Sequence, residues 1–356
     1  MTARQGCIAR DNRNLTRRRF RCAMVSACAP FRGGFVMTTL PVIDVSGLRS
    51  AELSERARVA AELGDACRET GFFYVVNHGI PEAARDAIFA AAQAFFSLPV
   101  ATKEAYSIKR SRHNRGYVAL EGERLDQGAA LSDYKEAFNV GLELAADDPE
   151  VLAGKPFRGL NLWPAIAGWR DTVLAYYDAC WNLGRRIHRG FAVDLGIEED
   201  FFEDKLDAPL AILRMLHYPP QPQRRDHAPD SGAGMHTDYG NLTILASDGV
   251  AGLQVRARNG IWLDAPHIPG AFICNIGDCL MRWTNDVYVS TPHRVAIPVQ
   301  DRYSVAFFLD PNPDACVEVL QSCLTLGALP KYRPTTGADY LRERLTATYD
   351  HLKERT

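Results

Sequence analysis

The segment MHTDYGNLTIL, residues 235–245, sets His236 and Asp238 one residue apart at the head of an apolar, β-branched run. Neither is an ordinary core side chain, and an ionised carboxylate buried alone is costly. Side chains at i and i+2 of a strand share a face, so the spacing predicts that both point at one object. A second histidine, His293 in STPHRV, lies well downstream, and Arg302 and Ser304 follow in RYS. Two imidazoles and one carboxylate on one side of a metal leave positions open, the donor set of a non-haem Fe(II) site. Open positions admit a cosubstrate and O₂, whereas a closed four-ligand zinc site admits neither. The third ligand is expected from a different strand, hence the long gap. Arg302 and Ser304 repeat the i, i+2 pattern, with Ala306 and Phe308 on the same face. An inward Arg needs an anionic partner, and a guanidinium fork beside a hydroxyl suits a ligand carboxylate. Singly, each residue has a plainer reading as a turn or core histidine or a surface ion-pair arginine. Their order on strand-like runs joins them.

The elements that must position these residues change character along the chain. LPVIDVSGL reads as a short strand ending in a turn. Residues 51–70 carry Val59, Leu63 and Cys67 at helical spacing, and Gly71 ends that helix. FFYVVNHGI is a buried strand, and Pro81 opens a helix to about Phe96. Residues 110–140 read as loop with a strand near EAFNVGLEL. A long helix over 165–194 aligns Trp169, Val173, Tyr176, Cys180, Leu183 and Ile187 on one stripe. After about residue 208 the period becomes two. AILRMLHY, LTILASD, GLQVRA, IWLDA, AFICNIGD, VSTPHRVAI and RYSVAFFLD follow as short strands, the pattern of a sandwich, barrel or jelly roll. TTGADYLRERLTATYDHLK closes the chain as a helix. With no repeat and no linker, the expectation is one unit of helices packed around a β core.

Composition narrows the function classes. The 356 residues are 47% hydrophobic with a net charge of −2, which gives no case for a nucleic-acid or anionic-membrane partner. No apolar run reaches the roughly 18 residues of a membrane span. Nine cysteines, an odd number without a CxxC pair, point to reduced thiols and a cytoplasmic setting. An Ala-rich, Arg-over-Lys composition hints at a GC-rich bacterial genome. Residues 1–36 differ, with eight Arg, no Lys and one acid, Asp11. TRRRFRCAMVSACAPF is superficially like a twin-arginine export signal, but its apolar run is short and is followed by Pro30 and Arg32. The reading is a disordered basic tail, or an upstream extension of a protein that starts at Met37.

From Leu40 onward the chain resembles the isopenicillin N synthase-like family of Fe(II)- and 2-oxoglutarate-dependent dioxygenases, the iron/ascorbate-dependent oxidoreductases. LPVIDVSGL, GFFYVVNHGI, FFSLPVATKEAY, LRMLHYPPQ, HTDYGNLTIL, GLQV, NIGDCLMRWTN, STPHRV and RYSVAFFLDP carry the resemblance. It implies a mixed α/β (α+β) fold: a double-stranded β-helix (jelly-roll) core with flanking helices, one of them long and central. It divides the chain into an N-terminal dioxygenase region (37–150), a long-helix segment (151–207), the jelly-roll core (208–312) and a C-terminal helix (313–356). His236, Asp238 and His293 match the iron ligands. Arg302 and Ser304 match the pair for the distal carboxylate of 2-oxoglutarate, and Tyr218 a tyrosine that helps hold it. Leu216 departs from the Asn of plant relatives. Asn275 has two readings, near the iron or stabilising a turn. The implied reaction oxidises a small molecule, most simply by hydroxylation, while 2-oxoglutarate goes to succinate and CO₂; O₂ and Fe(II) are required, with ascorbate as reductant. An intact Asp238 argues against halogenation. No obligate protein partner is evident.

Substrate candidates lie around the barrel mouth: the loop 114–138 with Glu121, Glu123 and Asp126, together with Arg214 and Phe308. The acids could read a cationic substrate or form a solvated loop. Two enzyme alternatives stay open. One is a 2-oxoglutarate-dependent ethylene/succinate-forming enzyme, whose GYVA and GE segments look alike. The other is an oxidase of the same fold that uses no 2-oxoglutarate. A non-catalytic sensor would have lost ligands, and a zinc hydrolase would need a general base beside the triad.

Overall fold

The computed structural model describes residues 39–126, 132–220 and 231–348. The expected extension 1–36 and the end of the last helix lie outside these residues. The helices are α1 (Leu53–Glu69), α2 (Glu82–Phe96), α3 (Val100–Glu104), α4 (Pro149–Leu152), α5 (Trp169–Asp194), α6 (Asp278–Trp283) and α7 (Gly337–Thr348). The first strands are β1 (Val42–Asp44), β2 (Phe72–Val76), β3 (Gly116–Val118), β4 (Glu136–Gly141), β5 (Ile212–Tyr218) and β6 (Ala233–His236). They are followed by β7 (Leu242–Ser247), β8 (Leu253–Arg256), β9 (Trp262–Asp264), β10 (Phe272–Ile276), β11 (His293–Val295) and β12 (Arg302–Leu309).

Two sheets result. One has eight strands in the order β1-β2-β10-β7-β12-β5-β4-β3, antiparallel except for the β1–β2 pair. The other has four, in the order β6-β11-β8-β9. Alternate residues of the large sheet belong to different cores. Val305, Phe307 and Leu309 of β12 pack with Val173, Cys180, Leu183 and Ile187 of α5. Ala306 instead joins Phe72, Leu216, Leu253, Val255 and Val295, side chains drawn from both sheets. A strand covered on both faces must be apolar at nearly every position, which is why AFICNIGD and RYSVAFFLD show little polar alternation.

The stripe expected for the long helix is buried at all six positions. The chain leaves α1 through Gly71, at φ +66°, where a Cβ would stand 2.1 Å from the Val289 carbonyl oxygen. Three elements differ from expectation. The loop over 110–140 contains the short strand β3, and α6 follows directly on β10 inside NIGDCLMRW. His236 ends β6, a strand of the small sheet, while Asp238 sits in the connection to β7 of the large sheet. The two residues do not share one strand, so the i, i+2 argument fails although the convergence survives.

Candidate active site

His236 and His293 meet because β6 and β11 pair antiparallel with these two residues in register. Their ring centroids lie 4.3 Å apart. Asp238 Oδ1 is 3.8 Å from His236 Nε2 and 3.6 Å from His293 Nε2. The ligand atoms of the three residues all fall within 4.8 Å of one another. His236 Nδ1 stands 2.7 Å from the Gly234 carbonyl oxygen, and His293 Nδ1 3.2 Å from that of Thr291. A ring that donates from Nδ1 keeps the Nε2 lone pair for a metal. The donor set therefore fits Fe(II) with open positions.

Asp238 is held by its far oxygen. Thr243 Oγ1 and Asn275 Nδ2 donate to Oδ2 at 2.5 and 2.7 Å, leaving Oδ1 toward the imidazoles. Thr243 and Asn275 are themselves cross-strand partners on β7 and β10. Asn275 thus lies against the acid of the cluster. Burial opposes ionisation of Asp238, but His293, His236 and these two donors outweigh it and lower its pKa. Burial, then the facing His293, push His236 down to about 4, so the ring is neutral at pH 7. The turn carrying Asp238 is fixed by α6. The N–H groups of Asp278 and Cys279 donate to the carbonyls of Asp238 and Tyr239, satisfying donors that a helix N-terminus leaves free.

Arg302 lies across the same cavity, 2% exposed. Its guanidinium donates to the Val250 carbonyl and to Ser304 Oγ, both at 3.3 Å, and stacks over Tyr218 with 4.7 Å to the ring centroid. Arg302 and Tyr218 are cross-strand partners, as are Ser304 and Leu216. Among the described residues no carboxylate pairs with Arg302. A buried cation in that condition fits an anionic ligand.

The far end of the cavity is lined by Arg214, Phe308, Glu123 and Lys135, with Leu341 and Leu345 from α7. Glu123 is buried, pairing with Arg214 and standing 3.6 Å from Lys135, which also holds Asp133 at 2.6 Å. The solvated-loop reading fails for Glu123. Glu121 is exposed, sits in a turn at φ +60° and does not line the cavity, so the structure gives it no place here. Residues 127–131 of the substrate loop lie outside the described residues. Sequence reasoning missed Thr243, Lys135 and Asp310. Thr243 and Asp310 were findable, because each continues the alternation of inward positions on its strand.

Residues 209–311 match the family described as the 2OG-Fe(II) oxygenase superfamily, and residues 40–166 that of the non-haem dioxygenase in morphine synthesis N-terminal region. The chain is 36% identical over 318 residues to the 2-oxoglutarate-Fe(II) type oxidoreductase hxnY of Emericella nidulans, covering 88% of this chain and 91% of that one. The chain belongs to the 2OG-Fe(II) oxygenase superfamily. This 2OG-Fe(II) oxygenase is also 35% identical over 328 residues to homoarginine-6-hydroxylase 2-ODD-233 of Oryza sativa subsp. japonica, with 87% and 97% covered. A full-length Neurospora crassa protein, solved as a crystal structure in complex with alpha-KG, has the same fold, at a TM-score of 0.78 and 31% identity over 89% of this chain and 98% of that one. A second crystal structure of that Neurospora crassa protein also contains thymine. This oxygenase is thus an oxidoreductase that uses Fe(II) and couples oxidation of another molecule to decarboxylation of 2-oxoglutarate. No helix among its described residues is long and apolar enough to cross a membrane.

Proposed function

We propose that His236, Asp238 and His293 hold Fe(II), and that Arg302 and Ser304 take the distal carboxylate of 2-oxoglutarate with Tyr218 flanking it. Bound Fe(II) supplies the site at which the keto acid and O₂ react, giving succinate and CO₂ with oxidation of the substrate, most simply its hydroxylation. The chain's own part is positional. Thr243 and Asn275 fix the Asp238 carboxylate, the Gly234 and Thr291 carbonyls fix the imidazole tautomers, and the two-sheet core around Leu216, Leu253 and Val295 excludes water. One observation carries the reading: the three ligand atoms and a buried, acid-free arginine share one cavity.

The substrate is a small molecule that enters at the end lined by Arg214, Glu123 and Phe308. The thymine complex of the Neurospora crassa protein supports that size class. The two sheets enclosing a cavity support a double-stranded β-helix, and the clustering of the chain from residue 39 onward supports one compact unit, within which the N-terminal region, long-helix segment, core and C-terminal helix are proposed to meet near residues 150, 207 and 312. Six described cysteines without a disulfide support a cytoplasmic location, and Ala- and Arg-rich composition a bacterial source. A net charge of −2 supports a protein without nucleic-acid or membrane partners, and no obligate protein partner is invoked.

Anaerobic equilibrium dialysis tests the ligand set. Wild type is expected to take up one Fe(II) per chain, and His293→Ala and Asp238→Ala to lose it. Retention of stoichiometric Fe(II) by both variants would overturn the assignment.

A further inference from the structure

Asp310 follows β12 directly and continues the inward series Arg302, Ser304, Ala306, Phe308, all of which line the cavity. It is 6% exposed, and its Oδ1 is buried without a hydrogen-bond partner. No ion pair holds it among the described residues. Native structures rarely leave a buried carboxyl so, because its desolvation is uncompensated. A Cβ on Gly240 would stand 1.7 Å from Oδ1, so Gly240 is what lets the carboxyl lie against the turn that carries Asp238. Eight residue steps at about 3.3 Å each put Asp310 roughly 25 Å along the strand from Arg302. One end of the strand therefore serves the keto acid, and Asp310 stands at the other. Glu123 and Asp133 pair with Arg214 and Lys135.

We propose that Asp310 is a specificity-determining substrate contact, and that the primary substrate carries a protonated nitrogen (amine, amidine or guanidine) on an apolar body. This rests on the Fe(II)/2-oxoglutarate reading above. Phe308, Ile212, Leu341 and Leu345 line the cavity beside Asp310 and cover the apolar part. The cation supplies the counter-charge that the carboxyl lacks, and its N–H groups donate to it.

The test is anaerobic calorimetry on the full chain loaded first with Fe(II) and then with 2-oxoglutarate, at pH 7.5. The probes are size-matched pairs: benzylamine against benzyl alcohol, benzamidine against benzamide, L-lysine against L-norleucine. The cation of at least one pair should bind about tenfold or more tighter than its neutral partner, the ratio expected of a charge-assisted bond. Asp310→Asn, nearly isosteric, should collapse that ratio toward one. Equal or better binding of the neutral member in every pair, no binding by any probe, or a preference that survives Asp310→Asn overturns the proposal. Failure of the loading steps, read as absent heats for Fe(II) or 2-oxoglutarate, overturns the underlying site assignment instead and the proposal with it.

Discussion

His236 and His293 are direct partners across the β6–β11 ladder, and Asp238 reaches them from a turn between the two sheets. The proposed metal cluster is thus a seam. The small sheet supplies both imidazoles, and the large sheet, through Thr243 and Asn275, orients the acid.

That division predicts how iron affinity can be weakened without touching a ligand. Thr243→Val and Asn275→Ala each remove one donor from Asp238 Oδ2 and free the carboxylate to rotate. Each should lower Fe(II) affinity about 10–100-fold, the range found for outer partners of metal ligands. Competition against an Fe(II)-binding indicator reads this directly. Unchanged affinity in the double variant would remove the orienting role.

A second prediction concerns Lys103, which is 5% exposed on α3. Its Nζ stands 2.6 Å from Glu136 Oε2 and 3.0 Å from the Phe96 carbonyl oxygen. Removing one partner of a buried pair costs about 3–5 kcal/mol. Lys103→Ala should fall at the low end, because Tyr117 and His217 still hold Glu136. Urea unfolding measures the loss, and a change below about 1 kcal/mol would contradict the burial argument.

A third prediction follows from His188 on α5. Burial lowers its pKa from 6.5 to about 4, while Nδ1 donates to the Gly184 carbonyl at 2.8 Å. The unfolded chain takes up this proton near pH 6.5 and the folded chain resists it. Stability is therefore retained above pH 6.5 and lost as the pH falls toward 4, by about 3 kcal/mol from this group. In His188→Gln that increment of acid sensitivity should vanish. An identical pH profile for variant and wild type would place the acid sensitivity elsewhere.

Much of the candidate site was legible because strand periodicity is a local property. The Arg302, Ser304, Ala306, Phe308 face could be read from spacing alone, and one more step along it reaches Asp310. The HxD pair was found for a reason that does not hold, since a sheet boundary falls between its two residues. Only long-range pairing reveals that, and short apolar runs do not announce which sheet they join. The burial of Glu123 was hidden likewise. Its partners Arg214 and Lys135 come from β5 and the segment before β4, and in sequence the acids of that loop look solvated.

The central claim is that one cavity binds Fe(II) at His236, Asp238 and His293 and a keto acid at Arg302. Anaerobic titration of the Fe(II)-loaded protein with 2-oxoglutarate, followed by the visible charge-transfer band of the chelated keto acid, tests it most directly. The band should appear in wild type. In Arg302→Ala the midpoint should move to at least about tenfold higher 2-oxoglutarate, the loss expected for a charge-assisted contact. Fe(II) binding without a band, or a band with the same midpoint in the variant, would contradict the account.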